Sequence, residues 1–265
     1  LAYDDHLLFV LEAYGTLTAL DAATGAQLWT MQIAGEPFYN SQPVAAGGIV
    51  YVNGNGSNGV TVAIDEQTGA VRWSKATYGT DGCVAVSAGV VYESEPAGNL
   101  AAWDALTGTA LWARAGNGIG GGGSAPSVYA TKIWARDPTF GGDIVDHDGT
   151  LLGTFASTAV PAFHGGLAFY APGGSVTAVD IATDTIRWTF TGDGQLCTSP
   201  VVAGAGGQVF IGSRNGHMYE LDEATGTQRS VHDIGTAVTC ASEADSIVIA
   251  DGHLLVPAGD ELVVY

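Results

Sequence analysis

The chain has 265 residues, 46 % apolar and 13 % charged, with 39 glycines, the composition of a folded, turn-rich protein and not of a disordered one. Its 27 acidic against 8 basic side chains give a formal charge of -19, a surface that repels phosphate backbones and anionic lipid and so argues against nucleic acid or a membrane as partner. No apolar run approaches the ~20 residues that span a bilayer.

The chain opens at Leu1 inside a strand-like stretch, without initiator methionine, leader or lipidation cysteine, and is expected to be a mature chain or an excised domain. Lysine occurs only at Lys75 and Lys132. That scarcity beside the aspartate excess fits either a halophile or a secreting bacterium of high GC content.

From the first copy onward one phrase recurs. It reads ALDAATGAQLW at 19 to 29, AIDEQTGAVRW at 63 to 73, AWDALTGTALW at 102 to 112 and AVDIATDTIRW at 178 to 188, with a fifth copy, ELDEATGTQRS at 220 to 230, that has lost its tryptophan. The central aspartates are Asp21, Asp65, Asp104, Asp180 and Asp222, and the tryptophans are Trp29, Trp73, Trp112 and Trp188. The gap between Asp104 and Asp180 is nearly twice the others, so a degenerate copy is expected at 145 to 155, with Asp146 in the aspartate place and Phe155 in that of tryptophan. The stretch 251 to 265 matches 4 to 21 in pattern, which starts a seventh copy and cuts it off near its third strand.

Each copy reads as four short strands. A Ser-Pro-Val or Ala-Pro-Ser stretch opens it (Ser199 to Gly204, Ser124 to Ala130); an alternating run follows (48 to 54, 208 to 213), then the strand that ends in the aspartate, then the strand that carries tryptophan. The Thr-Gly after the aspartate marks a tight turn, with glycine for positive φ and the aspartate side chain as cap. Four strands per ~40-residue unit, none able to bury both faces alone, predict an all-β propeller in which each tryptophan packs on the neighbouring blade. One domain over 1 to 265 is expected, with seven blades, the last incomplete, or else a fragment of an eight-bladed form. The first and last blades are expected to meet without exchanging a strand. Trp103 and Trp134, outside the repeat position, are expected to matter less.

The phrase resembles the tryptophan-docking motif of the PQQ-like (quinoprotein-type) repeat family, along almost the whole chain. The resemblance implies an extracytoplasmic place and two classes of function. One is a noncatalytic scaffold or sensor, as in outer-membrane assembly lipoproteins and the sensor propellers of bacterial kinases; the other is a quinone-dependent dehydrogenase or its remnant. The enzymes stack their quinone on an adjacent-cysteine disulfide and hold calcium beside a catalytic aspartate. Here no two cysteines are adjacent, and no calcium-binding Glu and Asn pair aligns, so neither cofactor nor metal is expected and the scaffold reading is preferred.

Other motifs lose to plainer accounts. Gly118, Gly120 and Gly123 satisfy GxGxxG, but the segment runs into a strand with no helix to meet a pyrophosphate. Asp146 and Asp148 lack the remaining ligands of a calcium loop. The six histidines are scattered, His6 and His253 at one repeat position, and no Ser-His-Asp or Cys-His set stands out. Asn55 to Ser57 is a formal sequon on a loop.

The loops that join strand four to one and strand two to three share one face, the expected place for a protein, peptide or small-molecule ligand. The candidate rim residues are Tyr14, Glu36, Phe38, Tyr39, Arg136, Asp193, Arg214 and His217, where scarce arginines lie beside aromatics. Of the three cysteines, Cys197 and Cys240 enter the inner strands of adjacent copies and are expected to form a disulfide, with Cys83 left over.

Overall fold

The computed structural model describes residues 1–34, 38, 39, 41–54, 59–77, 82–95, 99–116, 125–137, 141–157, 159–203, 206–238, 247–250, 253–258 and 261–265. These residues form seven antiparallel meanders. The first is β1 (Ala2–Asp4), β2 (Leu7–Leu11), β3 (Thr16–Asp21) and β4 (Gln27–Gln32). The second is β5 (Val44–Ala46), β6 (Ile49–Gly54), β7 (Val60–Asp65) and β8 (Val71–Ala76), and the third β9 (Cys83–Ser87), β10 (Val90–Ser94), β11 (Leu100–Asp104) and β12 (Ala110–Arg114). The degenerate copy follows as β13 (Ser127–Tyr129), β14 (Lys132–Asp137), β15 (Gly141–Asp146) and β16 (Leu151–Phe155). The fifth is β17 (Ala162–His164), β18 (Leu167–Tyr170), β19 (Val176–Asp180) and β20 (Thr185–Phe190), and the sixth β21 (Val201–Ala203), β22 (Gln208–Gly212), β23 (His217–Asp222) and β24 (Gln228–Asp233). The last, β25 (Val248–Ala250), β26 (His253–Ala258) and β27 (Glu261–Val264), has three strands, while Ala2 to Asp4 pair within the first sheet. The expected incomplete last blade is therefore present, and the first sheet keeps its own opening strand.

Strand composition follows position. In β3 Leu17 and Ala19 are fully buried while their neighbours are half-exposed, the period of two of a strand with one covered face. In β6 every residue is buried, as in a strand covered on both faces.

The repeat phrase forms one device. Asp65 Oδ1 accepts from the Thr68 N–H at 2.9 Å and from its hydroxyl at 2.8 Å. The same pair of bonds recurs between Asp21 and Thr24, Asp104 and Thr107, and Asp222 and Thr225. A register shift falls in the third strand just after Ala19, Ala63, Ala102, Ala178 and Glu220, each paired with the residue at the tryptophan position. Such a bulge re-aims the side chain opposite it, and a small alanine there leaves room for the indole.

Contacts divide the chain into two compact units, Leu1–Gly153 and Thr154–Tyr265. In the first, the indole N–H groups of Trp29, Trp73 and Trp112 donate to the carbonyls of Glu66, Ala105 and His147 in the following sheet, at 2.8, 2.9 and 2.7 Å. Their rings lie on Gly69, Gly108 and Gly149 of that sheet's turn, where a Cβ would come within 3.0 Å of the indole. In the second unit Trp188 does the same to Glu223, at 2.8 Å, and Gly226. The division falls inside β16, the outer strand of a copy with no tryptophan at the repeat position. The turn that follows carries Asp184 at φ 53, where Gly25, Gly69, Gly108 and Gly226 stand in other copies; the preceding copy has no tryptophan at the repeat position, and an aspartate tolerates this φ better than most side chains.

Two expectations change. Phe155 does not substitute for a tryptophan: its ring meets Tyr170 on β18, at 5.7 Å between centroids, whereas the indoles meet an aromatic of their own sheet, Phe9, Tyr51, Tyr92 or Phe169. Trp134 is only 2 % exposed, more deeply placed than any of the docking tryptophans.

Candidate functional site

In the unit Thr154–Tyr265, predicted rim residues converge between the fifth and sixth sheets. A tight turn follows β20, with Gly192 and Gly194 at positive φ, and it projects Asp193. Asp193 Oδ2 accepts from the Ser213 hydroxyl at 2.6 Å and from Asn215 Nδ2 at 3.0 Å, and lies 3.1 Å from His217 Nδ1; Oδ1 accepts from the Gln195 N–H at 3.0 Å. Burial pushes this carboxyl up, but the donors outweigh it and hold it at about 2. The same contacts that favour the charged form of Asp193 tie down Ser213, Asn215 and His217 of the loop 213 to 217.

Beside this network lies an open groove of about 670 Å³, lined by Phe190, Asp193, His217, Tyr219, Val231 and Asp233 among others. Tyr219 stands edge-on to Phe190 and to His217, with centroids 5.3 and 6.0 Å apart. Burial raises the Tyr219 phenol above its ordinary value, so it stays a neutral hydroxyl. Arg214 is exposed next to the network, its N–H bonded to the Gln195 carbonyl at 3.0 Å. Asp193, Arg214 and His217 were legible from their loops; Phe190 and Tyr219, inside strands, carried no loop signal.

In the unit Leu1–Gly153 the prediction divides. Tyr14 and Phe38, 71 % and 51 % exposed, pair at 5.7 Å between ring centroids. Tyr39 is corrected: it is 3 % exposed and packs in the core of the first two sheets, against Gly15, where a Cβ would come within 2.6 Å of its ring. Arg136 is half-buried on β14 and is not brought to the aromatic pair by any described contact. Glu36, Cys240, Gly118, Gly120, Gly123 and the sequon Asn55 to Ser57 lie outside the described residues; Cys83 is half-buried at the start of β9.

Ser213 and His217 each bond to Asp193, so the hydroxyl proton points at the acid and not at the imidazole, and Ser213 is fully buried. A nucleophile needs the opposite wiring. Asp146 and Asp148 spend their Oδ1 atoms on the turn N–H groups of His147 and Thr150, at 2.9 Å each, and no group of three or more metal-ligating side chains occurs among the described residues.

A quinone with calcium would need carboxylate and amide oxygens free to turn to the cation. Asn53 and Glu93 do meet, but through the amide nitrogen: Asn53 Nδ2 donates to Glu93 Oε1 at 2.6 Å, Thr61 Oγ1 donates to the same atom at 2.8 Å and Trp103 Nε1 to Oε2 at 3.1 Å. A carboxylate already holding three donors does not turn its oxygens to a cation, and the adjacent cysteines are missing. These residues do not fit the group.

Six four-stranded meanders and one of three strands, four of them with a tryptophan docked on the next turn, define a β-propeller of PQQ-like repeats. A family model described as outer membrane protein assembly factor BamB matches residues 1–116 and 131–265, and the chain belongs to that family. Comparison with curated sequences finds no match. Among solved structures it resembles BamB from Moraxella catarrhalis (TM-score 0.74, 22 % identity, 99 % of this chain and 80 % of that one). It also resembles a quinohemoprotein alcohol dehydrogenase from Pseudomonas putida HK5 (0.74, 13 %, 95 % and 60 %) and the computationally designed Ika8 protein (0.65, 17 %, 100 % and 95 %). The chain thus spans three-fifths of the dehydrogenase. At these identities the likeness concerns the fold, which assembly factor and enzyme share.

Proposed function

We propose that the chain is a noncatalytic extracytoplasmic binding propeller, one domain over 1 to 265, that works as a scaffold or sensor and presents its loop face to a protein, peptide or small ligand. The observation that carries this reading is the groove beside Asp193: aromatic walls, an imidazole edge and a rim locked by one anion, with no nucleophile wired to a base. Membership in a family described as an outer-membrane assembly factor supports a protein partner and a place outside the cytoplasm. The exposed Tyr14 and Phe38 pair supplies a further contact on loops of the same kind. The alternative, a quinone-dependent dehydrogenase or its remnant, draws on the same fold but lacks the donor set described above.

A photo-crosslinking residue in place of Val231, which is 45 % exposed on the groove wall, tests the reading in the cells that make the protein. One discrete adduct is expected, weakened by His217→Ala and absent when the crosslinker replaces Ala182, on the β19 to β20 turn at the other end of its sheet. Equal adducts from both positions would remove the groove as the binding surface.

A further inference from the structure

We propose, on the basis of the partner reading, that the groove beside Asp193 receives a lysine or arginine side chain of a protein partner. That side chain comes from an extended segment with an apolar residue two positions away.

Register builds the groove. On β23 His217 and Tyr219 alternate onto one face, and across the ladder they stand opposite Asp233 and Val231 of β24. Phe190 closes the side formed by the fifth sheet, its ring edge-on to Tyr219. Two patches therefore lie side by side, about 7 Å apart, the spacing of alternate strand residues. One is apolar, with Phe190, Tyr219 and Val231; the other is acidic, with Asp193 and Asp233 around His217. The same places in the first sheet hold Thr18 with Thr30 and Thr16 with Gln32, pairs that bond one another at 3.1 and 3.4 Å. In the fifth sheet Thr177 and Thr189 do so at 3.1 Å. In the sixth these self-satisfied pairs give way to an aromatic and a charged one, so the groove is not a product of the repeat itself.

Charge decides the occupant. No lysine or arginine is among the described residues that line the groove. His217, the one residue among them able to carry positive charge, is paired through Nδ1 with Asp193. Asp193 is saturated by its donors and contributes its charge. Asp233 is exposed, and its Oδ1 accepts from the Gly235 N–H at 2.9 Å, which leaves Oδ2 to receive an N–H from outside. A lysine stem or guanidinium plane entering there lies against the aromatic walls with its head at the carboxylates. An acidic or phosphorylated segment would meet two like charges instead. The formal charge of -19 draws the same basic partner over distance.

Titration of the whole chain with the peptide acetyl-Gly-Leu-Thr-Arg-Gly-amide and its lysine counterpart, followed by backbone amide NMR, tests it. The controls carry the neutral isosteres citrulline and acetyl-lysine. At least one basic peptide is expected to shift the groove amides and to bind about fivefold or more tightly than its isostere, the worth of one exposed cation contact. Asp233→Asn should weaken it by about threefold or more. Asp184→Asn, which takes the same charge from an exposed turn of the fifth sheet, should leave it unchanged. No shift of the groove amides at about 5 mM peptide, basic peptides that bind no better than their isosteres, or equal losses from the two variants overturns the proposal. If a variant fails to fold, the peptides on the unaltered chain decide alone. The Val231 adduct reads the partner separately: an adduct in cells beside peptides that all bind alike means a partner of another chemistry, which ends this inference and leaves the groove as a binding surface.

Discussion

Glu66 and Glu93 are 1 % and 0 % exposed, and neither carboxylate oxygen of Glu66 accepts a hydrogen bond from a described group. Burial pushes both up to about 7 from an ordinary 4.5, with the charge of Asp4 adding at Glu66 and that of Glu95 at Glu93. At the matching place in the sixth sheet, Glu223 has a base instead, His164 at 2.8 Å. Because the folded pKa lies above the unfolded one, the stability these groups contribute is full below 4.5 and is lost as pH rises through about 7. Asp65, Asp193 and Asp222, held down at about 2, act with the opposite sign but in the acid range below 3.8. The urea midpoint is therefore expected to fall between about pH 5 and pH 8, and Glu66→Gln to recover part of that loss, on the order of 3 kcal/mol at most. A midpoint that rises over this range would contradict the assignment. At this scale the sequence was only partly legible. Phe38 and Tyr39 read alike in one loop, and it is Gly15, remote in sequence, that makes the space into which Tyr39 turns.

The turn and the outer strand of each copy were legible as elements because the residues that build them also join them to the next copy. Gly25 and Gly108 occupy the same turn position at φ +70 and +64, yet a Cβ on Gly25 meets nothing while one on Gly108 would lie 2.7 Å from Trp73. Gly25→Ala should cost only the left-handed penalty, about 1 kcal/mol. Gly108→Ala should cost at least about 1 kcal/mol more for the displaced indole. Equal losses in denaturant melts would remove the docking role of that glycine. Replacing Trp73 or Trp188 by alanine should cost about 3 to 5 kcal/mol, and Trp134, buried more deeply still, a similar amount. The degenerate copy was misread because its turn is one residue shorter. Gly149 N–H donates to Asp146, three positions back, where Gly69 reaches Asp65, four back. Counting from the aspartate therefore no longer finds the docking position, and Phe155 goes elsewhere.

For the whole molecule, the repeat made the propeller legible, while the groove was not: its walls, Phe190 and Tyr219, are strand residues that only packing of two sheets brings together. The proposed Cys197 to Cys240 bridge would place maturation in an oxidising compartment. Titration of the unfolded, unreduced chain should then find a single thiol, that of Cys83; three thiols would remove the bridge and with it the best independent argument for export. The proposed binding propeller and a quinone enzyme differ in whether the chain holds a quinone and turns it over. The chain is incubated with pyrroloquinoline quinone and calcium, freed of excess by gel filtration, and its visible spectrum and dye-linked alcohol oxidation are recorded. The account predicts no stoichiometric chromophore and no turnover above the protein-free control. One quinone per chain, with turnover that depends on calcium, would contradict it.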